Sequence, residues 1–149
     1  MIQKGDKAPA FEAKNQDGKT VKLEDFKGKK LVVYFYPKDN TPTCTTEACN
    51  IRDNYHRFLK EGYEVVGVSP DSEKSHQRFK AKFELPFDLL SDKDLTLANA
   101  FGVWGEKFTF GKKYMGIKRT TFVIDSEGSV ADVITEVQSK VHADQILNS

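Results

Sequence analysis

The segment Leu31-Val32-Val33-Tyr34-Phe35-Tyr36, an unbroken run of apolar and aromatic residues, constrains the fold more than any other part of the chain. A strand with one wet face alternates apolar and polar residues, so a continuous β-branched and aromatic run reads as a strand covered on both faces. Pro37 ends it, because proline has no amide hydrogen to give a ladder. A helical segment follows from about Pro42 to Lys60, with Gly62 as its C-cap. Glu64–Ser69 is a second buried strand. Strand, helix and strand at this spacing form a βαβ unit with a right-handed crossover.

The remaining pattern extends that unit. A second helix is expected from Ser72 to about Phe83, a short strand at Phe87–Leu90, and a third helix from about Leu95 to Phe101. Thr120–Asp125 and Ser129–Thr135 flank the turn Ser126-Glu127-Gly128 as an antiparallel hairpin, and a short helix closes the chain near Val141–Leu147. Upstream, Asn15-Gln16-Asp17-Gly18 turns between Phe11–Lys14 and Thr20–Leu23. The expectation is an α/β protein with a mixed central β-sheet flanked by helices. The length of 149 residues, without repeats or a linker-like stretch, argues for a single domain over residues 1–149.

Composition removes several function classes. Hydrophobic residues make up 38% of the chain, an ordinary globular content that excludes a disordered protein. Basic and acidic residues number 23 and 22, for a net charge of +1, so no overall field draws nucleic acid or an anionic membrane. Lys112-Lys113-Tyr114, Lys118 and Arg119 form a basic stretch that could contact phosphates, but such runs are mostly solvated faces. No apolar run approaches the ~20 residues that cross a bilayer. The first residues lack the apolar core of a signal peptide, so a soluble, cytoplasmic protein is expected. Trp104 and Tyr34 read as packing residues, and His76, sharing a helix face with Phe79 and Phe83, as partly buried.

Two cysteines cannot build a disulfide scaffold, and their placement says more than their number. Cys44 and Cys49 follow the first buried strand, at the strand-to-helix connection where open α/β sheets bind ligands. Thr41 before Pro42 fits an N-cap with proline at the first helical position; Thr43 is the alternative cap. Either way Cys44 falls in the first helical turn, where free amides and the helix dipole favour an anion and make a thiol reactive. At about 100° per residue, Cys44, Ala48, Ile51, Tyr55, Phe58 and Leu59 share one face, and Cys49 points about 140° away from Cys44. On an intact helix the two Cα atoms stand ~8.6 Å apart, beyond the roughly 7 Å limit for a disulfide. A bond between them requires the helix start to unwind, so a transient disulfide fits better than a static staple. The competing readings are a small buried hydrophobe and a zinc ligand. Zinc lacks further ligands at suitable intervals, since His56, His76 and His142 are scattered.

At these residues the chain resembles a peroxiredoxin of the bacterioferritin-comigratory, or Q, type. Pro37, Thr41 and Cys44 match the Pro-x-x-x-Thr-x-x-Cys motif of peroxiredoxins, and Cys49 stands at the subfamily's second cysteine. Gly102-Val103-Trp104-Gly105-Glu106-Lys107, Tyr114-Met115-Gly116 and Arg119-Thr120-Thr121-Phe122-Val123-Ile124-Asp125 are similar to its downstream blocks. The resemblance implies a thioredoxin-like fold with an N-terminal β-hairpin extension. It implies a peroxidatic Cys44, a resolving Cys49, a Thr41 that orients thiolate and peroxide, a shielding Pro37 and an Arg119 that stabilises the thiolate. It also implies hydrogen peroxide and alkyl hydroperoxides as substrates, thioredoxin as reductant, a monomer, and no metal or organic cofactor. One departure is Thr43, where the subfamily usually has glycine. A thiol–disulfide oxidoreductase on the same fold is the nearest rival, but such enzymes use Cys-x-x-Cys and a proline where this chain has Arg119-Thr120-Thr121. A non-catalytic binding module built on the basic stretch is more distant.

Overall fold

The computed structural model describes residues 1–148. Its centre is the expected βαβ unit: β3 (Lys30–Phe35) pairs in parallel with β4 (Tyr63–Ser69), Val33 opposite Val66 and Tyr34 opposite Gly67. β5 (Asp88–Ser91) adds in parallel beyond β4. β8 (Thr120–Ile124) joins the other edge of β3 in antiparallel register, with Phe35 opposite Thr120 and Tyr34 opposite Thr121, and β9 (Val130–Ile134) follows it. The hairpin of β1 (Glu12–Asn15) and β2 (Thr20–Lys22) attaches beside β5. The sheet order is β2-β1-β5-β4-β3-β8-β9, the mixed sheet with N-terminal hairpin that the sequence leads one to expect.

Alternation along β3 divides the interior in two. Leu31, Val33 and Phe35 face one cluster with Phe11, Val66, Val68 and Phe122, closed by Leu97, Ala98 and Phe101 of helix α4 (Thr96–Phe101). Val32, Tyr34 and Tyr36 face the other, closed by helices α1 (Pro42–Asp53), α2 (Tyr55–Lys60), α3 (Glu73–Phe83) and α5 (His142–Leu147). Both faces of the strand are dry, as an unbroken apolar run requires. Trp104 packs against the first cluster and Tyr34 lies in the second.

Two differences from the expected pattern have physical causes. The helix expected from Pro42 to Lys60 is broken at Asn54, whose backbone leaves the helical range at φ −110°, ψ 11°. The Asn54 amide donates to the Asn50 carbonyl at 2.8 Å, a local bond that competes with the helical ladder. The break resets the helical phase, so Leu59, expected on the core face, is exposed while Phe58 is buried. The second difference is a ribbon of β6 (Trp104–Thr109) and β7 (Lys112–Ile117), paired with each other outside the main sheet. Most of its residues are exposed, so it lacks the one-sided alternation that marks a strand in sequence.

Candidate active site

The site forms where β3 ends. The chain leaves Tyr36, turns through Pro37–Asn40 and starts α1 at Pro42. Asp39 pins this turn from within. Its side chain accepts from the Tyr36 hydroxyl at 2.6 Å and the Ser75 hydroxyl at 2.8 Å, and its Oδ2 lies 2.7 Å from His76 Nδ1. His76 Nε2 meets the Leu90 carbonyl at 2.9 Å, so the ring bridges the turn to β5. His76 is thus fully buried, not partly buried as expected, because its imidazole fills a polar core site. Asn40 completes the turn at φ +61°, a conformation asparagine tolerates better than most residues. Asp39, Asp71 and His76 also bring potential metal-ligand atoms within 4.8 Å of one another. Those atoms are engaged in bonds among themselves and with Ser69, Ser75 and the Asp39 amide.

Thr41 is the N-cap residue of α1 by backbone conformation and Pro42 the first helical residue, as expected. The Thr41 hydroxyl does not cap the helix; it donates to the Lys38 carbonyl at 3.0 Å. Thr43, the alternative cap, is exposed within the first turn. Pro37 lies half-buried at the exit of β3. Cys44 occupies the third helical position and is 1% exposed. Arg119 immediately precedes β8, and antiparallel pairing of Thr120 with Phe35 brings it to the strand end where α1 begins. Its Nη2 donates to Cys44 Sγ at 3.2 Å, so two of the expected site residues meet directly. The guanidinium and the free amides of the helix start place positive charge around the sulfur, where an anion is favoured.

The structure adds Glu47, which sequence reasoning did not single out. Arg119 Nη1 donates to Glu47 Oε1 at 2.7 Å, and Glu47 is wholly buried. Burial pushes the Glu47 carboxyl up to about 7, against the opposing pull of Arg119. Desolvation lowers Arg119, but its interactions with Glu47 and Cys44 outweigh that and its pKa is raised. A signal for Glu47 existed: three residues after Cys44, it falls on the same helix face. His142, on α5, approaches Glu47 Oε2 at 3.4 Å, and nothing in its sequence neighbourhood announced this.

Cys49 is also free and half-buried, and lies on the same unbroken α1 as Cys44. It borders a shallow surface depression with Thr45, Thr46, Asn50, Asp53 and Lys140. The two thiols therefore occupy different surroundings. A cavity of about 560 Å³ bordered by Leu23, Phe26, Leu31 and Ile124 sits at the other end of β3 and is remote from both cysteines. Among the described residues, no helix is long and apolar enough to cross a membrane.

A cysteine at a helix start, under an arginine, at the end of a central strand is an arrangement suited to thiol chemistry, and comparison with known proteins shows the class to be a thiol-dependent peroxidase of thioredoxin-like fold. The chain belongs to the AhpC/TSA family, which it matches over residues 4–133. It is 51% identical to the peroxiredoxin Bcp of Bacillus subtilis over 148 residues, covering 99% of this chain and 94% of that one. Against the peroxiredoxin Bcp of Escherichia coli the identity is 45% over 147 residues, covering 99% and 94%. Among solved structures, a cysteine-to-serine mutant of Xylella fastidiosa PrxQ superimposes with a TM-score of 0.93 at 34% identity, over 99% of this chain and 94% of that one. The Xanthomonas campestris bacterioferritin comigratory protein, studied for alkyl peroxide reduction, gives 0.87 at 40% identity, over 93% and 88%. The chain is a thiol-dependent peroxidase of the peroxiredoxin class.

Proposed function

We propose that Cys44 is the peroxidatic cysteine and Cys49 the resolving cysteine of this enzyme, acting on hydrogen peroxide and alkyl hydroperoxides. The observation that carries the reading is the Arg119–Cys44 contact at the start of α1. The Cys44 thiolate attacks the terminal peroxide oxygen; an S–O bond forms as the O–O bond breaks. Sulfur loses two electrons, the peroxide gains them, and the hydroperoxide proton passes to the leaving oxygen to give alcohol or water. Arg119 and the helix start stabilise the negative charge on sulfur and on the developing leaving oxygen. The sulfenate takes up a proton to become sulfenic acid. Pro37 shields the sulfur from bulk water, and Thr41, one turn from Cys44, orients thiolate and peroxide once its hydroxyl leaves Lys38.

The first turns of α1 then unwind, because the intact helix holds the Cα atoms ~8.6 Å apart. Cys49 attacks the Cys44 sulfur, the S–S bond forms, and water leaves. Thioredoxin restores both thiols by exchange, supplying two electrons and two protons. The chain works as a single-domain monomer in the cytoplasm, where an external dithiol keeps thiols reduced. Alkyl peroxide reduction by the Xanthomonas campestris relative supports the substrate class.

Peroxide consumption with a thioredoxin system, compared across wild type, Cys44→Ser and Cys49→Ser, tests the mechanism. Cys44→Ser should lose activity, and Cys49→Ser should form one equivalent of sulfenic acid without normal recycling. Full activity in Cys44→Ser would sink the assignment.

A further inference from the structure

Glu47 is buried, yet only one of its carboxyl oxygens is accounted for. Oε1 accepts from Arg119, whereas Oε2 is enclosed without a hydrogen-bond partner among the described residues and faces His142 Nε2 at 3.4 Å. The state of that nitrogen follows from the groups beyond it. Gln145 Nε2 donates to the Glu136 carbonyl at 2.9 Å. That turns Gln145 Oε1 toward the Gln138 amide and His142 Nδ1, each at 2.8 Å. An amide oxygen only accepts, so His142 Nδ1 carries the hydrogen. The neutral ring then presents its one lone pair at Nε2, which lies between the Thr121 hydroxyl at 2.7 Å and Glu47 Oε2 at 3.4 Å. Burial, aided by the charge of Arg119, pushes His142 below the ordinary histidine range despite its bond to Gln145. A lone pair facing a carboxylate oxygen in a dry site is unfavourable, and a proton on Oε2 removes the conflict.

We propose that Glu47, holding a proton on Oε2 toward His142, is a positioning residue that fixes Arg119 against Cys44 while leaving the guanidinium charge unshared. The inference rests on the roles given above to Cys44 and Arg119. In its neutral state Glu47 orients Arg119 through Oε1 without competing for its charge. Once ionised, it divides the guanidinium between a carboxylate at 2.7 Å and the sulfur at 3.2 Å. The pocket then holds two anions against one cation, which opposes both the Cys44 thiolate and the charge developing on the peroxide. The groups that bear on Glu47 are Arg119 before β8, His142 of α5, Cys44 of its own helix and Tyr34 of β3. The Tyr34 phenol is raised well above its usual value, first by burial and then by Glu47, so it remains neutral.

Glu47→Gln keeps an oxygen for Arg119 and places an N–H toward His142, so it imitates the neutral acid at every pH. The rate constant of hydrogen peroxide with the reduced full chain is measured in a single turnover from about pH 5.5 to about pH 8.5 for wild type and variant. The ratio of variant to wild type cancels the titration they share. It is expected near unity below about pH 6 and to rise three- to tenfold by about pH 8; a flat ratio overturns the proposal. Infrared difference spectra supply a readout independent of rate. A carboxylic-acid C=O stretch should be present near pH 6, fade by about pH 8 and be missing in Glu47→Gln. Its absence from wild type overturns the proposal even where the variant folds poorly. A flat ratio with an inactive Cys44→Ser removes this inference alone, whereas an active Cys44→Ser removes the reading beneath it.

Discussion

Glu47 ties the stability of the chain to pH as well as its chemistry. Its carboxyl is pushed up to about 7 in the fold, burial outweighing Arg119, while an unfolded chain leaves it near the ordinary glutamate value. Below that ordinary value both states hold the proton, and Glu47 adds no pH dependence. Between the two values the unfolded chain releases the proton and the fold keeps it, so stability falls as pH rises and levels off above about 7. The total amounts to about 3 kcal/mol. Urea denaturation of wild type and Glu47→Gln should therefore show a gap that moves in favour of the variant between about pH 5 and about pH 8. A constant gap contradicts the linkage. Arg119 contributes differently, because one planar group reaches both Glu47 and Cys44. Arg119→Lys keeps the charge but not the fork, and should slow sulfenic acid formation by about tenfold or more.

At the scale of elements, the Asn50 side chain ties α1 to the C-terminal segment by two hydrogen bonds. Asn50 donates to the Lys140 carbonyl at 2.9 Å and accepts from the Ala143 amide at 2.8 Å. Asn50→Ala removes both bonds and should cost about 1–3 kcal/mol. Faster amide hydrogen exchange in α1 and α5, with β3 and β4 unchanged, is the expected signature. Between β3 and β4, Gly67 makes room for Tyr34: a Cβ there would lie 2.8 Å from the Tyr34 ring and 2.9 Å from its hydroxyl. Gly67→Ala should destabilise by about 1–3 kcal/mol in the same denaturation assay. Elements whose packing is uniform along their length were legible in the sequence. β3 and β4 announced themselves because both faces are dry, and α3 because Ser72 accepts from the Ser75 amide at its start. The β6–β7 ribbon and the break at Asn54 were not legible, since neither leaves a periodic apolar trace. Around the site, the helix start and Cys44 followed from local pattern, and Glu47 could have been found from its spacing. His142 could not, because contacts across ninety-odd residues of chain depend on how α5 docks.

At the scale of the molecule, the site is assembled from the end of β3, the start of α1, the start of β8 and the face of α5, so it exists only when the sheet is complete. Joining Cys44 to Cys49 requires part of α1 to open, so oxidation by one equivalent of peroxide should lower the far-ultraviolet helical signal. Reduction by a dithiol should restore it, and a signal unchanged on oxidation would count against unwinding. Cys44 lies in the interior, in one cluster with Tyr36, Ala48 and Ile51, and is 1% exposed. A peroxide of a few atoms can approach such a sulfur, and the bulk of a protein disulfide cannot. On the proposed assignment, the peroxidatic Cys44 is therefore shielded from protein disulfides and takes its oxidising equivalents from small peroxides. In the proposed cycle it hands them on to Cys49 only after the helix start has opened. One buried atom in this way acts as a valve, setting the direction in which electrons run through a crowded thiol pool.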